Sequence, residues 1–158
     1  ALLSGLRAQE AAALRWTDVD LEHGWLEQSN GRRLALPAAL VRVWQTAFPE
    51  HAGPGAPVWR DGQGDGQTPA GLDAVINAAA VYAGLARPQE VDAAVLRHTY
   101  LAFLARQGLE MAELTQIAGT LTEAEIGVYS VLAPPGTGRR TAQMNTVYPA
   151  LEDIAPGT

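Results

Sequence analysis

The sequence Val91-Asp-Ala-Ala-Val-Leu-Arg-His-Thr-Tyr-Leu-Ala-Phe-Leu-Ala-Arg-Gln-Gly108 predicts the helix around which the chain is organised. Its large apolar residues recur at helical spacing: Leu96, Tyr100, Phe103 and Leu104. Gly108 marks the end of the helix. Arg97 falls in line with Leu101, at the edge of the apolar face. A cation there needs a partner anion, because burying an unpaired charge is very costly. The helix alone leaves two interpretations open, a structural salt bridge and an anion-binding site.

The composition is typical of a single globular domain. A chain of 158 residues, of which 47% are hydrophobic, is long enough to bury a proper core. It has no apolar run of membrane-spanning length, and its first residues lack the basic start of a signal peptide. The absence of cysteine excludes disulfides and thiolate metal sites. We therefore expect one cytoplasmic domain over residues 1–158, with no membrane association, no metal and no cofactor.

The charge of the chain argues against ordinary DNA binding. The net charge is −6, and all 11 basic residues are arginine. Residues 1–60 hold six arginines and six acidic residues, whereas residues 61–158 hold five arginines and eleven acidic residues. DNA-binding domains are usually basic because they neutralise phosphates. A local basic surface is therefore expected only in the neutral N-terminal part.

The remaining patterns predict a mainly α fold with a small antiparallel β-hairpin sheet. Strands are predicted over residues 24–28 and 33–36, because the Asn30-Gly31 turn between them favours a hairpin. A capping box over 122–125 opens a helix. The Gly- and Pro-rich stretch 49–68 is interpreted as a loop. Helices are predicted over 5–16, 37–48 (with Val43 inward), 70–83, 111–117, 122–129 and 139–148.

Four segments of the chain share a pattern with a known protein family. Two of them, Leu96-Arg97-His98-Thr99-Tyr100 and Ser4-Gly5-Leu6-Arg7-Ala8-Gln9-Glu10, resemble the second and the first arginine box of the catalytic domain of the tyrosine recombinases, the phage integrase family. Ile117-Ala118-Gly119-Thr120 resembles the leucine-glycine-histidine turn, and Ile126-Gly127-Val128-Tyr129 resembles the nucleophile segment. The four segments occur in the family order over about residues 1–131. The resemblance implies a tyrosine recombinase catalytic-domain-like fold.

The resemblance also implies DNA strand breakage and rejoining through a 3′-phosphotyrosine link. Tyr129 would be the nucleophile, and Arg7 and Arg97 would bind the phosphate, because a guanidinium binds phosphate bidentately and stays charged. On a helix, Glu10 is expected to pair with Arg7 three residues before it. Supporting roles would fall to Glu10, Arg32, Arg33, Thr120 and His98.

Three groups expected in the family site are missing. Ala94 stands where a histidine would precede the arginine by three positions, and His98 projects about 100° away from Arg97, so it does not simply substitute. Thr120 replaces a histidine or tryptophan, and an arginine at best replaces the hairpin lysine. Since a positioned acid or base contributes about 10² to 10⁴ in rate, we expect weak or absent activity.

Two other functions stay open. A non-catalytic relative, acting as a regulator or decoy, would bind DNA through Arg7, Arg32 and Arg33 and would lose affinity steeply with salt. A protein-interaction domain that no longer binds DNA is favoured by the charge of −6. The predicted 139–148 helix would either dock on a neighbouring copy or pack on its own domain. The resemblance implies a helix and a DNA-clamping domain before Ala1, so we expect a fragment or a reduced relative.

Overall fold

A computed structural model describes residues 4–47, 53 and 55–152 and has a mainly α fold with a small antiparallel sheet, which confirms the predicted fold class. The strands are β1 Val19–Asp20, β2 Trp25–Glu27 and β3 Arg33–Ala35. The helices are α1 Ala8–Ala12, α2 Ala38–Ala47, α3 Pro69–Tyr82, α4 Ala93–Arg106, α5 Met111–Ala118 and α6 Glu123–Leu132. Short 3-10 turns lie at Trp16–Asp18, Pro88–Glu90, Thr141–Gln143 and Pro149–Leu151.

The sheet has the order β1-β2-β3 and contains the predicted hairpin. Leu26 and Leu34 are paired across β2 and β3, and both are buried beneath the same face. Gly31 has a φ of +80° in the turn, a conformation that glycine adopts without strain. The hairpin therefore projects residues 29–32 from a sheet that is anchored on one side.

Two hydrophobic clusters form the core, and Ile117 packs against both. The first cluster joins α1, the sheet and α2, and it includes an edge-to-face contact between Trp16 and Trp44 with ring centroids 5.8 Å apart. The second cluster joins α4, α5 and α6. The C-terminal end of α5 thus lies where the two clusters meet.

The central helix α4 is close to its predicted extent. It begins after Asp92, whose carboxylate accepts the Val95 backbone N–H at 2.8 Å and so caps the helix. It ends before Gly108, which has a φ of +84°. Its buried face includes Tyr100, Leu104 and, with 7% of its surface exposed, Arg97.

The predicted C-terminal helix over 139–148 is wrong. Side chains bond to the local backbone there and compete with helical hydrogen bonding. The Glu113 carboxylate accepts the Thr141 backbone N–H at 2.9 Å, and Asn145 Oδ1 accepts the Val147 backbone N–H at 2.9 Å. The segment packs on its own domain, where Tyr148 contacts Phe103 edge to face. Docking of this segment on a neighbouring copy stays a prediction.

Two smaller predictions about helices also differ from the structure. The first helix spans only Ala8–Ala12, because the chain then pairs with the 56–58 segment, where the Val58 N–H donates to the Leu14 carbonyl at 2.9 Å. Val43 was predicted to face inward but is 38% exposed. The predicted end of α2 at Phe48 and part of the 49–68 loop lie outside the described residues. Within the described part of the chain, none of the helices combines the length and apolar character needed to cross a bilayer.

Candidate functional site

The Arg97 guanidinium is buried and bonds to three protein oxygens. Its Nε donates to the Gly5 carbonyl at 3.2 Å, its Nη2 to the Ala118 carbonyl at 3.1 Å, and its Nη1 to the Glu125 carboxylate at 3.1 Å. Glu125 is therefore the partner anion that the burial of Arg97 requires. The arginine joins α4 to the start of the described chain, to the end of α5 and to α6.

Two further arginines bond to the same turn. Arg7 Nη2 donates to the Thr120 carbonyl, and Arg32 Nη1 donates to the Ile117 carbonyl at 2.8 Å. We call Arg7, Arg32 and Arg97 the arginine cluster. Its members come from the N-terminus of α1, the β2–β3 hairpin and α4, and they converge on residues 117–120. Gly119 fits this crowded turn, since a Cβ there would lie 2.9 Å from Arg32 Nη1.

Glu10 supports the cluster in a different way from the one predicted. Its carboxylate lies 2.6 Å from Arg32 Nη2 and accepts the backbone N–H of Arg7 at 2.8 Å. The expected pairing of Glu10 with the Arg7 side chain is therefore wrong. Arg7 precedes the first helical residue with an extended backbone, so its side chain is not one helical turn from Glu10.

Tyr129 lies beside the cluster and is 1% exposed. Its hydroxyl is 3.1 Å from His98 Nδ1, and the two rings are tilted by 31° with their centroids 5.5 Å apart. Burial raises the pKa of the Tyr129 phenol, while the Arg97 charge lowers that pKa and the Glu125 charge raises it. Both members of the Arg97–Glu125 ion pair therefore act on the phenol.

The structure excludes one predicted supporting residue from the cluster. Arg33 is exposed, bonds Glu27 at 2.7 Å and stacks on the Trp25 ring with 4.3 Å between its Cζ and the ring centroid. Thr120 contributes its backbone carbonyl, and its side chain is exposed. Glu125 and Gly5, which hold Arg97, were not predicted as site residues. The only signal for Glu125 was its place in the capping box.

Two cavities differ in charge. One of about 360 Å³ lies beside His98 and is also lined by Arg106 and Tyr148, with no acidic residue among its lining groups. Another of about 800 Å³ runs along β1 and β2, and its acidic lining repels phosphate: Asp18, Asp20, Glu22 and Glu27. Among the described residues, no group of three or more histidine and carboxylate side chains is arranged to hold a metal ion.

Comparison with solved structures identifies the architecture. The crystal structure of XerA recombinase matches 82% of this chain and 48% of its own chain, with a TM-score of 0.71 and 21% sequence identity. The chain has a tyrosine recombinase-like fold. No protein-family model and no curated protein sequence matches it.

The tyrosine recombinase-like fold is shared with structures that contain DNA. The Tn1549 transposon integrase in complex with circular intermediate DNA matches 86% of this chain and 54% of its own, with a TM-score of 0.67 and 19% identity. A variant of that integrase with transposon right end DNA gives a TM-score of 0.63 and 17% identity, over 82% of this chain and 51% of its own. The chain spans about half the length of these recombinase chains.

Proposed function

We propose that this chain is a tyrosine recombinase domain that breaks and rejoins DNA strands slowly. Tyr129 attacks a phosphodiester, Arg7 and Arg97 bind its non-bridging oxygens, and a 3′-phosphotyrosine link forms as the 5′-hydroxyl leaves. The observation that supports this proposal is the convergence of three arginines from separate segments on residues 117–120. The nucleophile candidate lies next to that cluster and within the field of Arg97.

The buried arginine keeps some capacity to bind phosphate. A guanidinium has five N–H groups, and Arg97 uses three of its nitrogens in single contacts with protein oxygens. The two remaining N–H groups suit a phosphate oxygen, and the charge does not depend on pH. The protein contacts fix the guanidinium plane, so little ordering is needed when a phosphate arrives.

Two features make the proposed reaction slow. Tyr129 is 1% exposed, so its phenol has to become accessible before phosphorus can reach it. Ala94 and Thr120 lack the imidazoles that the family resemblance leads one to expect. A missing acid or base reduces a rate by about 10² to 10⁴.

The proposal is tested with a library of DNA duplexes that carry one nick within a randomised sequence. Cleavage next to the nick releases a short strand, which traps the protein on DNA as an adduct that survives denaturing detergent. We expect slow adduct formation by the native chain and none by Tyr129→Phe. The matched control Tyr82→Phe, at a tyrosine that is 96% exposed, should form the adduct at the native rate. A native chain that forms no adduct, or an adduct that persists in Tyr129→Phe, contradicts the proposal.

A second candidate function, DNA binding without cleavage, is favoured by the burial of Tyr129 and its hydrogen bond to His98. It predicts retention of duplexes from the same library with no adduct. The logarithm of the affinity should fall linearly with the logarithm of the salt concentration, because binding releases counterions. Retention that does not change with salt concentration argues against both DNA functions and favours a protein-interaction domain.

A further inference from the structure

His98 and Tyr129 face each other across two helices that a second contact holds in register. Arg97 on α4 bonds Glu125 on α6. His98, the next residue of α4, contacts Tyr129, which lies one turn after Glu125 on α6. Arg97 is buried, Glu125 is partly buried and His98 is exposed. The phenol hydroxyl therefore lies at the boundary between the core and the surface, in contact with a group that can exchange protons with water.

We propose that His98 is a catalytic residue, the general base that takes the phenol proton at Nδ1 when Tyr129 attacks phosphorus. This inference rests on the proposed function. A general base must lie about 2.6 to 3.2 Å from the atom whose proton it takes, and the 3.1 Å separation of Nδ1 and the phenol oxygen meets that requirement. The two rings, tilted by 31° with centroids 5.5 Å apart, keep Nδ1 beside the hydroxyl.

The proton and the bonds balance without any further reagent. A lone pair of the Tyr129 oxygen forms the bond to phosphorus, the bond from phosphorus to the 5′-oxygen breaks, and the phenol proton moves to Nδ1. The departing oxygen takes a proton from water, and the imidazolium loses one to water through its exposed ring. In the rejoining step the 5′-hydroxyl attacks phosphorus and loses its proton to water, and the bond from phosphorus to the Tyr129 oxygen breaks. The imidazole regains a proton from water through its exposed ring, and the phenol oxygen takes a proton from Nδ1.

A base is needed at this position because the phenol resists ionisation. Burial raises the pKa of Tyr129, so at neutral pH the hydroxyl keeps its proton and is a weak nucleophile. The charged and titratable groups around the pair are Arg97 and Glu125 at the phenol, and Arg106 and Tyr148 in the cavity beside His98. Arg97 has no proton-accepting nitrogen, and Glu125 is occupied by Arg97 and Thr122. His98 is the neighbour that can accept the proton.

Two substitutions separate proton transfer from positioning. His98→Asn places an amide oxygen close to the position of Nδ1, so it still accepts a hydrogen bond but cannot take a proton. His98→Phe keeps an aromatic ring at this position and removes the acceptor. The matched control is His23→Asn. His23 is exposed, is hydrogen-bonded to Asp20 of β1 and lies outside the site.

The experiment measures the rate of adduct formation on the nicked duplexes as a function of pH. We expect both His98 variants to be about 10²-fold slower than the native chain near neutral pH, with His23→Asn unchanged. The variant rates should then rise about tenfold per pH unit and approach the native rate at alkaline pH, because hydroxide replaces the base by ionising the phenol directly.

Each other outcome has a defined meaning. Native rates in both His98 variants overturn the base assignment and leave the proposed function intact. A native rate in His98→Asn with a slow His98→Phe assigns His98 to positioning and also overturns it. No adduct from the native chain ends the proposed function and this inference together.

A measurement without DNA covers the case in which a variant fails to fold. ¹⁵N NMR of the histidine rings in the native chain reports which nitrogen carries the proton. We expect Nδ1 of His98 to be an unprotonated acceptor, with a shift that changes in Tyr129→Phe. An unchanged His98 shift would show that the contact is absent in solution and would overturn the inference.

Discussion

Arg97 and His98 are neighbours on α4, yet they occupy two different environments. Arg97 is buried and donates to three protein oxygens that belong to distant segments. His98 is exposed and contacts one group, the Tyr129 phenol. The difference indicates that one position holds the two halves of the domain together while the next acts on the reactive atom. Substitutions at the first should change stability together with phosphate binding, and those at the second should mainly change rate.

The largest expected effect is at the buried arginine. Arg97→Met should lower the free energy of unfolding by about 3 kcal/mol, because it leaves two carbonyls and the Glu125 carboxylate without their donor. Arg106→Met, an exposed position on the same helix, should change it by less than about 0.5 kcal/mol. Urea unfolding followed by circular dichroism measures both. Equal losses in the two variants would contradict the structural role of Arg97.

The hairpin offers the same contrast with two adjacent arginines. The Arg32 side chain is 9% exposed in its pair with Glu10, whereas Arg33 is 66% exposed in its pair with Glu27. Glu10→Ala should cost about 1 to 2 kcal/mol, because it removes the carboxylate partner of Arg32 and the acceptor of the Arg7 N–H. Glu27→Ala should cost less than about 0.5 kcal/mol. Thermal unfolding of both variants tests this contrast. A larger loss of stability in Glu27→Ala than in Glu10→Ala would contradict it.

The N-terminal cap of α6 stabilises the helix that carries Tyr129. Thr122→Ala should cost about 1 kcal/mol at neutral pH, since Thr122 Oγ1 accepts the Glu125 N–H at 3.2 Å. The Thr122 N–H, with a smaller contribution from Arg97, lowers the pKa of Glu125. A lowered carboxyl pKa adds stability that is present above its unfolded value and is lost as pH falls through the folded value.

Unfolding of the native chain and of Glu125→Gln between pH 7 and pH 3 measures this linkage. The native chain should lose more stability than the variant as the pH falls below about 4.5, the ordinary value for glutamate. Parallel curves for the two proteins would show that Glu125 is not held in its ionised form.

The smallest expected effect concerns Tyr100, which lies on the buried face of α4 away from His98. Burial raises the pKa of Tyr100 to about 12, so its contribution to stability is present below pH 10 and is lost as the pH rises through 12. Ultraviolet titration should show a late tyrosine step that becomes smaller in Tyr100→Phe, because the pKa of Tyr129 is also raised. The variant should cost only about 0.5 to 1 kcal/mol, for its hydrogen bond to the Thr146 carbonyl. A native titration without a late step would contradict the burial of this phenol.

Local signals in the sequence predicted the elements that position the site. They did not predict the contacts between residues that are distant in sequence. The spacing of apolar residues gave α4, the Asn30-Gly31 turn gave the hairpin, and the Thr122 capping box gave the start of α6. The partners of Arg97 and Arg32 come from segments 21 to 92 residues away in sequence. Such pairs depend on how helices pack, which the local pattern does not encode.

The false C-terminal helix has the same origin. Residues 139–148 carry a helical pattern, but Glu113, 28 residues earlier, captures Thr141 and favours a 3-10 turn. The contact of His98 with Tyr129 was also hidden. On α4 the His98 side chain projects away from Arg97, and there it meets Tyr129 on the neighbouring helix α6.

The most direct test of the account is the identity of the residue that carries the DNA in the trapped adduct. Nuclease digestion followed by tandem mass spectrometry of the peptide over residues 107–139 locates the nucleotide remnant. The account predicts a phosphodiester on the Tyr129 oxygen. A remnant on the adjacent, exposed Ser130 or on any other tyrosine would contradict the assignment of Tyr129 as the nucleophile.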